Sequence, residues 1–225
     1  MSKPHLTQKS FELLEELKVN NNREWYTEHK KAYSESVQTP FTEILEEASS
    51  KMAKTKYPML GGKETVFRIY RDVRFSKDKR PYKDNISGLL TPSGTKAEDE
   101  GIIYVHLNTD GGFLASGFHQ LDNNRLNQVR QHIIDETKTF TSIVKKLTKA
   151  GYEFSDMEKL KRMPRGFEDY ESHEHADLLK MKSLVVQATQ TKKAWLDGTI
   201  VEEIVKINKA ATDLTLFGLA ALAKK

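Results

Sequence analysis

The sequence predicts an α+β fold, with a mostly antiparallel central sheet packed with N-terminal and C-terminal helices. Apolar residues recur at helical spacing before residue 53 and again after residue 121, whereas strand-like alternation is confined to the middle of the chain. At 225 residues the length suits one domain, and no linker or low-complexity tract divides it. We therefore expect a single domain over residues 1–225.

Capping residues mark the predicted helix starts. Thr7 precedes the first apolar stripe, and Asn22 precedes the second. Thr39-Pro40 begins a third helix, because proline is favoured at the first helical position. Asp122 introduces the helices that follow the sheet. Two closing helices are predicted at 200–211 and 214–223.

The central strands are predicted from alternation and turn residues. Residues 66–75 alternate apolar and polar side chains, which predicts a half-buried strand that ends in a loop before Pro81. Residues 102–108 and 113–118 flank Asp110-Gly111, a strong hairpin signal. Residues 184–186 indicate one more strand.

The segment that begins within the first predicted strand and continues into the following loop carries most of the functional information. Residues 68–83, here called the basic segment, hold seven cationic side chains and only two acids, Asp72 and Asp78. The cations are Arg68, Arg71, Arg74, Lys77, Lys79, Arg80 and Lys83. Because like charges at this density repel one another, the segment predicts a site for an anionic, phosphate-bearing small molecule.

Specific roles follow for these side chains. The predicted ligand-binding residues are Arg68, Arg71, Arg74, Lys79 and Lys83. Asp72 and Asp78 would orient them or, in an enzyme, act as acid and base. His106 shares a strand face with Tyr104 and is a further candidate base. Whether the protein is an enzyme stays open.

An alternative hypothesis needs no ligand. Asp72 would neutralise Arg68 or Arg74, with Tyr70 packed between them, and the cluster would be a folding network in a structural or partner-binding module. The acidic loop 98–100 could also neutralise the basic segment.

Residues 68–83, RIYRDVRFSKDKRPYK, resemble the signature of a bacterial and fungal family known as domain of unknown function twenty-four sixty-one. Shorter stretches also resemble that family: residues 21–26, 104–107 and 163–167, with Lys182-Ser183. The resemblance implies a shared fold and a cytoplasmic setting, and it supplies no activity.

Several classes of site are excluded or disfavoured. The chain has no cysteine, which excludes disulfides and thiolate metal sites. The acidic and histidine-rich tract 171–177 lacks metal-ligand spacing and is interpreted as a solvated turn, so we expect no metal and no cofactor. No membrane span or secretory signal is expected. The net charge of only +4 does not favour nucleic acid as the partner. The ligand, the reaction and the oligomeric state stay open.

Overall fold

A five-stranded antiparallel sheet forms the centre of the protein, and this confirms the α+β prediction. The computed structural model describes residues 4–97, 100–156 and 158–223. The strands are β1 (Ile86–Leu90), β2 (Ile102–Leu107), β3 (Phe113–Phe118), β4 (Glu153–Phe154) and β5 (Leu184–Thr189). They are arranged in the order β1-β2-β3-β5-β4.

Helices precede, interrupt and follow the strands. They are α1 (Gln8–Val19), α2 (Arg23–Tyr33), α3 (Thr39–Met52), α4 (Asn123–Asp135), α5 (Thr137–Lys149), α6 (Ala176–Leu179), α7 (Lys192–Leu196) and α8 (Ile200–Leu222). A π-helical turn at Ser34–Gln38 joins α2 directly to α3. Within the described ranges, no helix is long and apolar enough to cross a membrane.

The predicted helix starts are confirmed, with one change of detail at the first. Asn22 Oδ1 accepts a hydrogen bond from Trp25 N at 2.9 Å, and Asp122 Oδ1 accepts one from Arg125 N at 3.0 Å. At α1 the backbone N–H of Thr7 donates to Ser10 Oγ at 2.9 Å, so Ser10 closes the cap. Each contact satisfies a backbone group that the helix start leaves without an intrahelical partner.

The prediction of two closing helices is wrong, because α8 runs unbroken from Ile200 to Leu222. The polar residues that suggested an interruption lie within the helix. Thr212 Oγ1 donates to the Asn208 carbonyl one turn earlier at 2.7 Å, and Thr212 is buried. Back-bonding of this kind allows threonine to be accommodated inside a helix.

The predicted strand at 66–75 is also wrong. This stretch forms two isolated β-bridges, Val66 with Gly88 and Tyr70 with Tyr82, and no continuous ladder. The segment instead folds back on itself, since Arg71 N donates to the Pro81 carbonyl at 2.9 Å and Lys83 N donates to the Ile69 carbonyl at 2.8 Å. Phe75, expected on a buried face, is 96% exposed at the tip of this loop.

The hairpin of β2 and β3 is confirmed, with Tyr104 opposite Ala115. Gly111 and Gly112 form its turn with φ values of +115° and +86°, a region that favours glycine. β1 was not predicted. All five of its residues are buried, so its sequence lacks the alternation of a half-buried strand.

The two faces of the sheet have different environments. On one face Ile103, Val105 and Leu107 are fully buried, and this side packs against α3 and α8. These residues belong to one continuous apolar cluster that also includes Leu6 and Ala221. On the opposite face the alternate residues of β2 are only partly buried. That second face positions the candidate site.

Candidate functional site

A groove of about 680 Å³ lies on the half-exposed face of the sheet. Its floor is formed by β1, β2, β3 and β5, and its rim includes Phe67 and Lys83 on one side and Glu158 and Ser183 on the other. Alternation on β2 directs Ile102 and Tyr104 into the groove while Ile103 and Val105 point to the core. A concave site with apolar walls and a few polar groups is the usual form of a small-molecule site.

Aromatic rings form one half of the groove. Tyr104 lies 5.7 Å from Phe113 and 6.3 Å from Phe67, measured between ring centroids. His106 does not itself line the groove, but its ring stacks on Phe113 at 4.8 Å. These rings offer flat apolar surface on which an aromatic or aliphatic ligand body can pack.

Two polar groups on β2 are linked within this aromatic surface. The Tyr104 hydroxyl and His106 Nδ1 share a hydrogen bond of 3.2 Å. Burial lowers the pKa of His106, with Lys83 acting in the same direction and Asp84 opposing it. Burial also raises the pKa of Tyr104. Near neutral pH the imidazole is therefore uncharged and able to accept a proton.

Lys83 is the cation of the basic segment that reaches the groove. Its ammonium lies 5.4 Å from the centre of the Phe67 ring, and the residue is partly buried. Burial lowers the pKa of Lys83, and the nearby positive charge of Arg68 lowers it further. In the part of the chain that the structure describes, no carboxylate lies within ion-pair distance of Lys83. The groove rim thus carries a partly desolvated positive charge without a counter-ion.

Most of the other cations in the basic segment are held inside the loop. Arg74 forks onto Asp72 with contacts of 2.6 Å and 3.0 Å. Arg71 and Arg80 share Asp78 Oδ2 at 2.7 Å and 2.8 Å. The Lys79 ammonium donates to the Val73 carbonyl at 3.0 Å, and Arg80 also lies 3.8 Å from Asp84.

These contacts separate the residues predicted as one site. Lys83 lines the groove, and Arg68 lies close enough for its charge to act on Lys83, whereas Arg71, Arg74 and Lys79 bind acceptors within the loop. The arginine contacts also lower the pKa of both Asp72 and Asp78, which keeps the two carboxylates ionised. Their arrangement resembles the network of the alternative hypothesis, with Arg74 rather than Arg68 as the partner of Asp72. The catalytic and ligand-binding roles stay predictions.

The base of the loop is fixed to α2. Asn21 exchanges two hydrogen bonds of 3.0 Å with the Tyr82 backbone. The Tyr26 ring lies 4.4 Å from Tyr82 and 6.3 Å from Tyr70. Residues 21–26 and the basic segment, which both carry the family resemblance, therefore contact each other here. This contact holds the base of the loop, from which Lys83 reaches the groove.

The acidic loop 98–100 was expected to neutralise the basic segment, but Glu100 does not do so. Glu98 and Asp99 lie outside the described residues, and Glu100 is ion-paired with Arg125. His119 does not approach His106 across the hairpin. His106 pairs with Phe113 at the start of β3, whereas His119 follows the end of that strand, roughly 20 Å away.

The tract 171–177 is a turn with exposed acids that leads into α6, but its two histidines are not solvated. His173 Nε2 shares a hydrogen bond of 3.0 Å with Thr137, and His175 Nε2 shares one of 2.7 Å with Thr141. His175 is only 8% exposed and packs edge-on against Phe140 at 4.9 Å. These contacts attach the tract to α5. Among the residues described, no group of three or more histidine or acidic side chains is placed to hold a metal.

Several groove residues had no signal in the sequence. Ser87 lies on β1, which was not predicted, and Gln187 belongs to β5, of which only the apolar start was recognised. Pairing in the sheet brings them beside residues that were singled out: Ser87 lies opposite His106, and Gln187 lies opposite Ala115. Only the alternation of β2 could have indicated this surface.

Comparison with known proteins supports the resemblance. A search of curated proteins and a search of solved structures returned no match. A family described as conserved hypothetical protein, domain of unknown function 2461, matches residues 9–217. That range includes the basic segment, the five strands described above and most of α8. The chain therefore belongs to this family of conserved hypothetical proteins.

Proposed function

We propose that the protein is a cytoplasmic module that binds a small molecule with an apolar body and an anionic, phosphate-type group in the groove of the open sheet face. The observation that carries this proposal is Lys83, a partly buried ammonium that faces the groove beside Arg68 and lacks a carboxylate partner among the described residues. A bound anion would supply the missing counter-charge, which is why a desolvated cation favours it.

The rest of the groove suits the body of such a ligand. Tyr104, Phe113 and Leu89 provide apolar surface. Gly117 has no side chain, so no side chain fills the space above the sheet at that position, next to Val185. A Cβ at position 117 would lie 2.2 Å from the Leu184 carbonyl oxygen, and its φ of +133° also favours glycine. Ser87 and Gln187 add neutral hydrogen-bonding groups to the floor.

If the bound molecule is turned over, we propose that the Tyr104 hydroxyl, which lines the groove, passes its proton to the neutral imidazole of His106, to which it is hydrogen-bonded. We do not extend this role to Asp72 and Asp78. Both carboxylates are engaged by arginines, and their lowered pKa makes them poor proton donors and acceptors near neutral pH.

The test is a thermal shift measurement with phenyl phosphate, which combines a ring with the anionic group. Inorganic phosphate and sodium chloride at equal ionic strength are the reference conditions. A ligand present at ten times its Kd stabilises the folded state by about 1.4 kcal/mol. We expect phenyl phosphate to raise Tm more than inorganic phosphate, and Lys83→Met to lose that difference.

Lys77→Gln is the matched control, because Lys77 is an exposed lysine of the same segment away from the groove. It should respond as the wild type does. Equal responses of the Lys83 and Lys77 variants would contradict the groove proposal. A wild-type protein indifferent to phenyl phosphate would leave the alternative, a structural or partner-binding module whose Arg-Asp-Tyr cluster is a folding network.

A further inference from the structure

A second cavity, of about 630 Å³, adjoins the groove and is here called the Arg130 pocket. Its walls come from α4, from the stretch 158–165 and from Lys182 just before β5. Gln120 and Glu158 line both cavities and form the boundary between them. Residues 161–166, KRMPRG, form a second basic stretch of the sequence, and the proposed function does not use it.

Arg130 is the central feature of this pocket. It is only 4% exposed, and its guanidinium donates to the Leu179 carbonyl at 2.8 Å, the Met181 carbonyl at 3.0 Å and Asn127 Oδ1 at 2.8 Å. All three acceptors are neutral. Burial lowers the pKa of Arg130 to about 10, which leaves the group charged at neutral pH.

The charge of Arg130 is therefore buried without compensation. Over residues 4–97, 100–156 and 158–223, no carboxylate forms an ion pair with Arg130. A guanidinium has five N–H donors, and the three contacts above leave two of them for another acceptor. A buried cation is costly unless a counter-charge is close. The cavity at its side is where such a charge can enter.

Two further cations line the same cavity. Arg165 and Lys182 are both exposed, and neither has a carboxylate partner among the described residues. The acid at the boundary, Glu158, accepts a hydrogen bond of 3.3 Å from Gln120 Nε2. Three cations against one acid give the pocket a net positive charge.

We propose that the Arg130 pocket binds a compact dianionic oxyanion such as inorganic phosphate. Arg130 supplies a fixed donor from below, and Arg165 and Lys182 close over the ion from the rim. Arginine suits this role because its planar fork matches the spacing of phosphate oxygens. Glu158 opposes the ion and sets an upper limit on its affinity. This site is separate from the groove and does not depend on the proposed function.

The experiment is a calorimetric titration of the whole chain with inorganic phosphate at low ionic strength, with sodium chloride as the reference salt. Arg130 variants risk misfolding, since the side chain holds two backbone carbonyls. The rim variant Arg165→Gln with Lys182→Gln therefore carries the test. We expect it to weaken phosphate binding by at least about tenfold, given the usual strength of charge-assisted hydrogen bonds.

Three further variants distinguish this pocket from other sources of binding. Glu158→Gln should tighten phosphate binding several-fold, because it removes the opposing charge. Lys161→Gln, an exposed cation of the same turn that does not line the cavity, should leave binding unchanged, as should Lys83→Met in the groove. The proposal is overturned if the wild type shows no saturable binding or the rim variant binds normally. It is equally overturned if Lys83→Met abolishes binding, a result that would leave the groove proposal standing.

Discussion

Replacing Gly218 with alanine should destabilise the protein, although alanine is the better helix former. Gly218 lies in α8 where the helix crosses β3, and a Cβ built there would lie 2.3 Å from Cε2 and Cζ of Phe118. Ordinary carbon contacts are about 3.5–4.0 Å, so more than 1 Å of space is missing. Phe118 is 1% exposed and has little room to withdraw.

Two opposing terms set the magnitude of this effect. Glycine to alanine in a helix interior gains about 1 kcal/mol from helix propensity. Overpacking a tight core costs about 1–3 kcal/mol. Since the missing space is large and Phe118 lies in the sheet, we expect the upper part of that range and a net loss of about 1–2 kcal/mol. The free energy of unfolding from urea titrations measures it, with an unchanged m value.

A double-mutant cycle with Phe118→Leu tests the cause. If the ring is the obstacle, the smaller side chain should remove much of the Gly218→Ala penalty, with a coupling energy of at least about 1 kcal/mol. Gly151→Ala is the control, because position 151 has a φ of +83° and nothing within 4 Å of a Cβ. Its penalty is one of backbone strain and should add to that of Phe118→Leu. A neutral or stabilising Gly218→Ala, or additivity with Phe118→Leu, would refute the reasoning.

Two other predictions concern pH and nucleic acid. Burial lowers the pKa of His175 in the folded protein. On acidification the unfolded chain therefore takes up a proton at this residue before the folded protein does, which favours unfolding. The urea midpoint should be constant above about pH 7 and should fall below about pH 6.5. His175→Gln should flatten that fall, and an equal pH dependence in wild type and variant would contradict the assignment. On duplex DNA we expect a shallow dependence of log affinity on log salt, no steeper than about −3, because the Arg71, Arg74 and Arg80 charges are paired with Asp72 and Asp78. A slope of about −6 would make nucleic acid the partner, with the exposed Phe75 as a stacking surface.

The sequence was informative where one local rule decided the structure. The Asp110-Gly111 turn and the alternation from Ile102 onward gave the β2–β3 hairpin, and the residue Asn22 gave the start of α2. Local rules failed where long-range contacts decided. Residues 66–75 alternate like a strand, yet the partners of Arg71 and Lys83 lie in the same loop, and the strand forms at Ile86–Leu90 instead.

The candidate site shows the same division. The excess of cations in the basic segment was visible in the sequence, but the sequence could not show which cations keep their charge uncompensated. The pairing depends on which cations Asp72 and Asp78 can contact in the folded loop. These two carboxylates neutralise loop arginines, and Lys83 at the groove is left without such a partner. Arg130 was not recognised at all, because its isolation results from burial against Leu179 and Met181, about fifty residues further along the chain.

The position of Glu158 restricts how the two proposed sites can be used together. Its carboxylate lines both cavities at their boundary, between the Lys83 groove and the Arg130 pocket. Lys83 stands beside β1 at the far side of the groove, and three strand spacings across the sheet amount to roughly 14 Å. An anion close to Glu158 would be repelled, so negative charge is favoured only toward the two outer ends. A single molecule that fills both cavities must therefore have its anionic groups at its ends and a neutral or cationic part where it passes Glu158 and Gln120. Otherwise the two cavities hold two separate ligands, and Glu158→Gln would then ease binding at both.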